Sequence, residues 1–307
     1  MPESSASMSA YMTGQLVQGP NLCIYPAPCP EQDLVRVNPD STYQPLATVM
    51  DAARILGGKS IGAVVTVDVT HATPAGTIGH AVSRNSRRII IDQLASGRMD
   101  VLFGGGYKRM NDGVKAILAD NGVEYIESDA KAFREFDGDK LWALFTRGDM
   151  SYEMVRDSLA EPSLAEMTEK AINMLSRNRK GFFLMVEGSK VDFVAHSNDA
   201  PGILSEFGAF DRAVAVALDY ARKDGNTAVI VVPDHGTSGV NMGDRNYKDY
   251  TTKGLDSLMV GLKGIRMTAA QLDPLLRKCP ADEVPAVFKE NMGIDINRAE
   301  YDALLAA

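Results

Sequence analysis

Short runs of almost wholly apolar residues, separated by stretches of helical pattern, leave this chain few ways to fold. Ile61 to Val67 is apolar and largely β-branched. Asp100 to Phe103 runs straight into Gly104-Gly105-Gly106. Phe182 to Val186 and Thr227 to Val232 are two more such runs. Between them, residues 46–56 have a helical pattern that stops at Gly57-Gly58. Pro74 opens a further helix in its first turn. Residues 163–178 and 202–223 are amphipathic and helical in spacing. A strand that shows no polar alternation is buried on both faces, and helices must cover it. The pattern predicts an α/β fold, a three-layer, doubly wound, mostly parallel sheet. Residues 18–45, rich in Pro, Asn and Asp, are expected to be loop. The less periodic end of the chain suggests a smaller appended region over 241–307 beside a core over 1–240.

Charge narrows the partners. The formal net charge is -8, which disfavours nucleic acid or an anionic membrane surface as the main partner. A binder of phosphate esters with that balance needs local cations or bound metal to reverse the field. No apolar run is long enough to span a membrane, and Met1-Pro2-Glu3-Ser4-Ser5 has neither the basic start nor the apolar stretch of a signal peptide. Cys23 and Cys29 could close a small disulfide loop, or all three cysteines, with Cys279, could be free thiols.

In a parallel sheet, ligands collect outside the carboxyl ends of the strands. Polar residues cluster at three such ends: His71 and Thr73, Glu187, and Asp234 with His235. Asp192 and His196 are spaced to share one face of a helix, as an oxygen and a nitrogen ligand for zinc. They also suit an ordinary solvated helix face. Glu187 needs a cation or strong donors if it is buried, and none if it is exposed. His80 is expected to be a packing or surface residue. Ser4 precedes the small-residue run Ser5-Ala6-Ser7-Met8-Ser9-Ala10-Tyr11, which reads as a helix with a thin, closely packed face. A serine there is usually a cap. It could instead be a nucleophile, with the helix N-terminus favouring a phosphate dianion beside it. Arg84 can hold two phosphate oxygens at once, with Arg87 and Arg88 as solvated alternatives.

Several segments, taken in order, resemble the alkaline phosphatase family. They are Pro2-Glu3-Ser4-Ser5-Ala6, then His71-Ala72-Thr73-Pro74-Ala75-Gly76 running on to Arg84, and Gly104-Gly105-Gly106. Gly181 to Gly188, Asp192 through His196, and Pro233-Asp234-His235 follow. The resemblance implies hydrolysis of phosphate monoesters through a phosphoserine on Ser4, with Arg84 binding the phosphate. It implies two Zn2+ and one Mg2+ as cofactors. Asp192 and His196 fall at the first zinc site. Asp234 and His235 fall at the second, where Ser4 is also a ligand. His71, Thr73 and Glu187 fall at the magnesium site. The partners implied are a phosphate monoester and inorganic phosphate, with a homodimer and a periplasmic or extracellular location.

The match also has departures. Family members carry an aspartate on a strand upstream of the nucleophile and a further zinc-ligand histidine near the C-terminal end. Nothing precedes Met1 here, and no histidine follows His235. Truncation at both ends is therefore expected, leaving an incomplete sheet. Glu3 stands where many members have Asp, which predicts a longer or altered contact with Arg84. Phe193 stands where several place Lys or His, which weakens the third site. A sulfatase is disfavoured, because no C/S-x-P-x-R sequence occurs. A phosphodiesterase, or a non-catalytic phosphate- or metal-binding protein of the same fold, are the alternatives.

Overall fold

The computed structural model describes residues 3–31, 33, 35–239, 252–259 and 261–306. Chain contacts divide into two compact units. The first comprises Met1–Ser151, Asp157–Ser189 and Ala209–Gly236; the second comprises Tyr152–Arg156, Lys190–Gly208 and Thr237–Ala307.

The first unit is built on a five-stranded sheet. Its strands are β1 (Ser60–Asp68), β2 (Val101–Gly105), β3 (Glu124–Glu127), β4 (Leu141–Leu144) and β5 (Phe182–Val186), in the order β3-β4-β2-β1-β5. Every neighbouring pair is parallel. Its helices are α1 (Ser4–Thr13), α2 (Val49–Ile55), α3 (Ala72–Ala75), α4 (Arg87–Ser96), α5 (Asp112–Asp120), α6 (Ala130–Glu135) and α7 (Leu164–Leu175). The second unit holds α8 (Lys190–His196), and α9 (Ala200–Asp224) has residues in both.

Over β1, β2 and β4 both faces of the sheet are covered, as the apolar strands predicted, whereas β5, with β1 as its one neighbour among the described residues, is only half-buried along its length. Val64, Val101, Phe103, Leu141 and Ala143 enter one core with residues of α6, α7 and α9. In that core Phe133 meets Phe103 and Phe145 edge-on, at centroid distances of 5.0 and 5.1 Å. The alternate residues Ile61, Ala63, Val65, Leu102 and Trp142 point to the other face and are equally buried. Trp142 spends its ring N–H on the Met99 carbonyl at 2.9 Å.

Two expectations are corrected, and the choice left open for the cysteines is resolved. Thr227 to Val232 forms no strand, and Ile230 is 82% exposed. A strand exists by pairing, and among the described residues β5 ends the sheet with β1 as its one neighbour. The helix expected from Pro74 is the single turn of α3. The Thr77 hydroxyl donates back to the Pro74 carbonyl at 2.6 Å, and Ala81 is drawn into a backbone pair with Leu22. His80 therefore lies outside any helix, with Nε2 2.8 Å from the Leu46 carbonyl. The Cys23–Cys29 disulfide is absent, since all three cysteines are free.

The reason is local. Cys23 is fully buried, and its thiol lies 3.1 Å from the Gly76 carbonyl. Burial pushes the Cys23 thiol up to about 11. Ellman's reagent at pH 8 is expected to titrate Cys29 and Cys279 in the native protein, and Cys23 only after denaturation. Three fast thiols in the native state would contradict this packing.

Candidate active site

The site begins with one carboxylate. Glu3 is the N-cap of α1, and its Oε2 accepts the backbone N–H groups of Ser5 and Ala6 at 3.0 and 3.2 Å. The Ser5 hydroxyl donates to the same oxygen. The other oxygen, Oε1, accepts from Arg84. Contact between Glu3 and Arg84 is thus direct, not lengthened. Burial alone would raise the Glu3 pKa, but the Ser5, Arg84 and Ala6 donors outweigh it and hold the carboxyl below its usual range. Glu3, not Ser4, is the helix cap. The first free N–H groups of α1 go to Glu3 instead of to a bound anion.

Ser4 is consequently the first helical residue, its hydroxyl released from capping. Its Oγ stands 3.3 Å from His235 Nε2. That nitrogen is 3.3 Å from Asp234 Oδ2, and the His235 N–H donates to Asp234 Oδ1 at 3.0 Å. Tyr11, two turns along α1, donates its hydroxyl to the Pro233 carbonyl at 2.6 Å. So although 227–232 is not a strand, α1 holds the Asp234-His235 pair against its own first turn. The buried positions of the helix are Ser5, Met8, Ser9 and Met12, so its packed face is only partly small. Ser9 accepts the Cys23 N–H at 2.8 Å, and Met8 is accommodated by Gly76, where a Cβ would come within 2.8 Å of it.

Two strand ends carry the next residues. Beyond β1, His71 precedes α3, followed by Thr73. Burial first, and then Arg87 and Arg84, lower the His71 pKa against the opposing pull of Asp149 and Asp68. The imidazole is therefore neutral at neutral pH, the state a metal ligand requires. Beyond β5, the Glu187 N–H continues the ladder to the Val64 carbonyl at 2.9 Å. Glu187 Oε2 accepts the Ser189 hydroxyl at 2.5 Å. A Cβ on Gly188 would sit 2.9 Å from Phe210, so the turn after Glu187 needs glycine.

In the second unit, Asp192 and His196 do share a helix, α8, with Asp192 Oδ2 3.5 Å from His196 Nε2. The Thr237 hydroxyl donates to Asp192 Oδ1 at 2.8 Å.

The structure thus brings together Ser4, Asp234 and His235, joins Arg84 to Glu3, and pairs Asp192 with His196. Among the described residues, no three His, Cys, Asp or Glu side chains converge as a ready metal shell. In type, the donors still fit the expected ions. Carboxylate, imidazole and hydroxyl suit zinc, and the oxygens of Thr73 and Glu187 suit magnesium. The sequence reading missed Asp68, Lys108 and Arg109, and it took Arg87 for a solvated group. Arg87 turns inward toward Asp68, whereas Arg88 pairs with Asp92 at 3.0 Å on the surface. A lone Asp closing an otherwise apolar strand was the available signal.

Comparison with known proteins decides the relationship. The alkaline phosphatase family profile matches residues 1–259. This chain belongs to the alkaline phosphatase family. It is 35% identical over 224 residues to alkaline phosphatase 4 of Bacillus subtilis, covering 69% of this chain and 47% of that protein. It spans about half the length of the curated relatives it matches. The cold-active alkaline phosphatase of the psychrophile Shewanella sp. superposes with a TM-score of 0.82 at 26% identity, covering 99% of this chain and 71% of that one. A variant alkaline phosphatase from the Antarctic bacterium TAB5, with Mg bound in its M3 site, gives a TM-score of 0.64 at 27% identity, covering 82% of this chain and 71% of that one.

Glu3→Gln is expected to cost about 1–2 kcal/mol of stability at pH 7, through the weakened cap and Arg84 contact. The wild-type carboxyl is depressed in the folded state. Its contribution is therefore complete above the ordinary glutamate pKa and is lost as pH falls through the depressed value. Urea denaturation at pH 7 and at pH 3 should show a smaller pH penalty for Glu3→Gln than for wild type. Equal penalties would mean that Glu3 contributes nothing through its charge.

Proposed function

We propose that this chain carries the chemistry of phosphate monoester hydrolysis, with Ser4 as nucleophile and Arg84 as the phosphate-binding side chain. The observation that carries the reading is the Ser4 hydroxyl, freed from capping and held 3.3 Å from His235. The membership of the family supports it.

Arg84 arrives already oriented by Glu3, so little side-chain freedom is lost when its fork takes two equatorial oxygens of the phosphoryl group. Ser4 Oγ then attacks phosphorus in line with the ester oxygen, which leaves with a proton as the alcohol. Water attacks the resulting phosphoserine, releasing inorganic phosphate and restoring the hydroxyl. Asp234, His235 and Ser4 are proposed to hold one zinc ion, Asp192 and His196 another, and His71, Thr73 and Glu187 a magnesium ion. Bound there, such ions supply a lowered pKa for a coordinated hydroxyl and charge stabilisation for the oxygens of the displacement. The Mg held by the TAB5 relative supports the third assignment. Phe193 stands where several family members place Lys or His and brings no polar side chain, so the third site is expected to bind its ion weakly. Among the described residues no helix is long and apolar enough to cross a membrane. The family resemblance extends the proposal to a homodimer acting in the periplasm or outside the cell.

That no three-ligand cluster stands ready among the described residues favours a second reading, a phosphate- or metal-binding protein without turnover. One experiment separates the two. The chain is loaded with zinc and magnesium and assayed with p-nitrophenyl phosphate at alkaline pH. Turnover is expected, with kcat lowered at least about a thousandfold by Ser4→Ala and abolished by chelation. Arg84→Ala is expected to raise KM. Zinc retained at stoichiometric level without turnover would instead establish the second reading.

A further inference from the structure

Asp68 closes β1 with its carboxylate only 4% exposed, and three cations face it. Arg109 Nε donates to Oδ2 at 2.8 Å. Lys108 Nζ stands 3.9 Å from Oδ2, and Arg87 stands 4.0 Å from Oδ1. Oδ1 itself is occupied by the Thr70 N–H at 3.0 Å and the Thr70 hydroxyl at 2.6 Å. Arg109 thus makes the hydrogen bond, while Arg87 and Lys108 lie beyond that range. Arg87 has only a long 3.4 Å contact to the Thr70 hydroxyl. Lys108 makes no side-chain hydrogen bond among the described residues. Asp149 is the other nearby carboxylate, and its Oδ1 accepts the Asp68 N–H at 2.8 Å. Three cations against two carboxylates leave positive charge in excess, in a chain that is acidic overall.

The cluster is a built feature. Gly106 has a φ of 98°, and a Cβ there would sit 2.8 Å from the Asp68 carboxylate. Only glycine lets the loop carrying Lys108 and Arg109 approach this closely. The cluster also adjoins the proposed phosphate site. Arg87 reaches the hydroxyl of Thr70, the residue before His71, at 3.4 Å, and Arg84 lies three residues before Arg87 in the chain. Positive side chains with unspent donors beside a phosphate-binding arginine match a second phosphoryl group.

We propose that Arg87, Lys108 and Arg109 form a second anion subsite that receives the distal phosphoryl group of a bisphosphorylated substrate. The inference rests on the monoesterase reading, because Arg84 defines the first phosphoryl position. Asp68 holds Arg109 and sets the spacing, and Arg87 and Lys108 supply the free donors.

The test is isothermal calorimetry on the Ser4→Ala chain loaded with zinc and magnesium. The probes are propyl phosphate and alkanediyl bisphosphates of two to six carbons. The best bisphosphate is expected to bind about tenfold more tightly than the monoester. Lys108→Ala should remove several-fold of that preference, and Arg87→Ala with Lys108→Ala should remove all of it. Monoester affinity should stay within about twofold of the parent. Lys108 is 37% exposed, and Asp68 keeps Arg109 and Thr70 without it, so this single variant tests the subsite without unfolding the protein. Equal affinity for every probe, or an unchanged preference in both variants, overturns the proposal. Arg84→Ala separates the two readings. If monoester affinity survives it while the Lys108-dependent preference persists, the first-site assignment fails and the subsite stands.

Discussion

The structure depends on the parallel pairing of β1 with β2 on one side and β5 on the other. Gly62 is opposite both Val101 and Leu184, and Val64 is opposite both Phe103 and Val186. This double register puts the carboxyl ends of three strands at one level. From there Asp68, Thr70 and His71 leave β1, Glu187 leaves β5, and Gly106 with Lys108 and Arg109 follows β2. Every candidate group of the sheet is placed by that one arrangement. A one-residue slip would exchange the side chains packed on the two faces of a strand, so the fit of each set to its own core also fixes where the polar ends emerge.

Local charge shows how an acidic protein can offer an anion site. The net charge of -8 is a property of the whole surface. Beyond β1 and β2 the balance reverses locally, with Arg87, Lys108 and Arg109 set against Asp68 and Asp149, while Arg84 pairs with Glu3 and Glu187 stands at the end of β5. Glu3 and Asp68 do not simply cancel the cations. Each is held by backbone N–H or hydroxyl donors as well, Glu3 by the first turn of α1 and Asp68 by Thr70. A carboxylate satisfied in part by neutral donors can orient an arginine while leaving much of its charge for a ligand.

Much of this was legible in the sequence, and the failures have identifiable causes. Strands β1, β2 and β5 announced themselves because they are apolar throughout. The strands β3 and β4 did not, since Glu-Tyr-Ile-Glu and Leu-Trp-Ala-Leu are too short for periodicity to register. Thr227 to Val232 has every mark of a strand, yet strand formation requires a partner, which no single segment encodes. The Asp192–His196 spacing gave the right helix face. The Ser4 reading left cap and nucleophile undecided, because the choice turns on Glu3, whose side chain reaches forward over the helix start. Long side chains that fold back on neighbouring backbone are beyond pattern reading. The inward turn of Arg87 toward Asp68, nineteen residues away in sequence, escaped for the same reason.

The Glu3–Arg84 contact ties the proposed phosphate-binding arginine to the folding of α1. The carboxylate that caps α1 also orients the arginine, so the start of the helix and the guanidinium are ordered together. In the proposed site, an incoming phosphoryl group would meet a fork whose rotamer entropy has already been lost during folding. It need not displace Glu3, because Arg84 uses one terminal nitrogen on that carboxylate and a guanidinium has five N–H donors. Ser4 follows directly in the chain and shares this rigidity. Its hydroxyl position is set by the first turn of α1, which Glu3 closes at one end and Tyr11 ties to Pro233 further along. The proposed nucleophile, Arg84 and the Asp234-His235 pair are therefore held by one short helix, which packs through Ser5, Met8, Ser9 and Met12 and needs glycine at Gly76 opposite Met8.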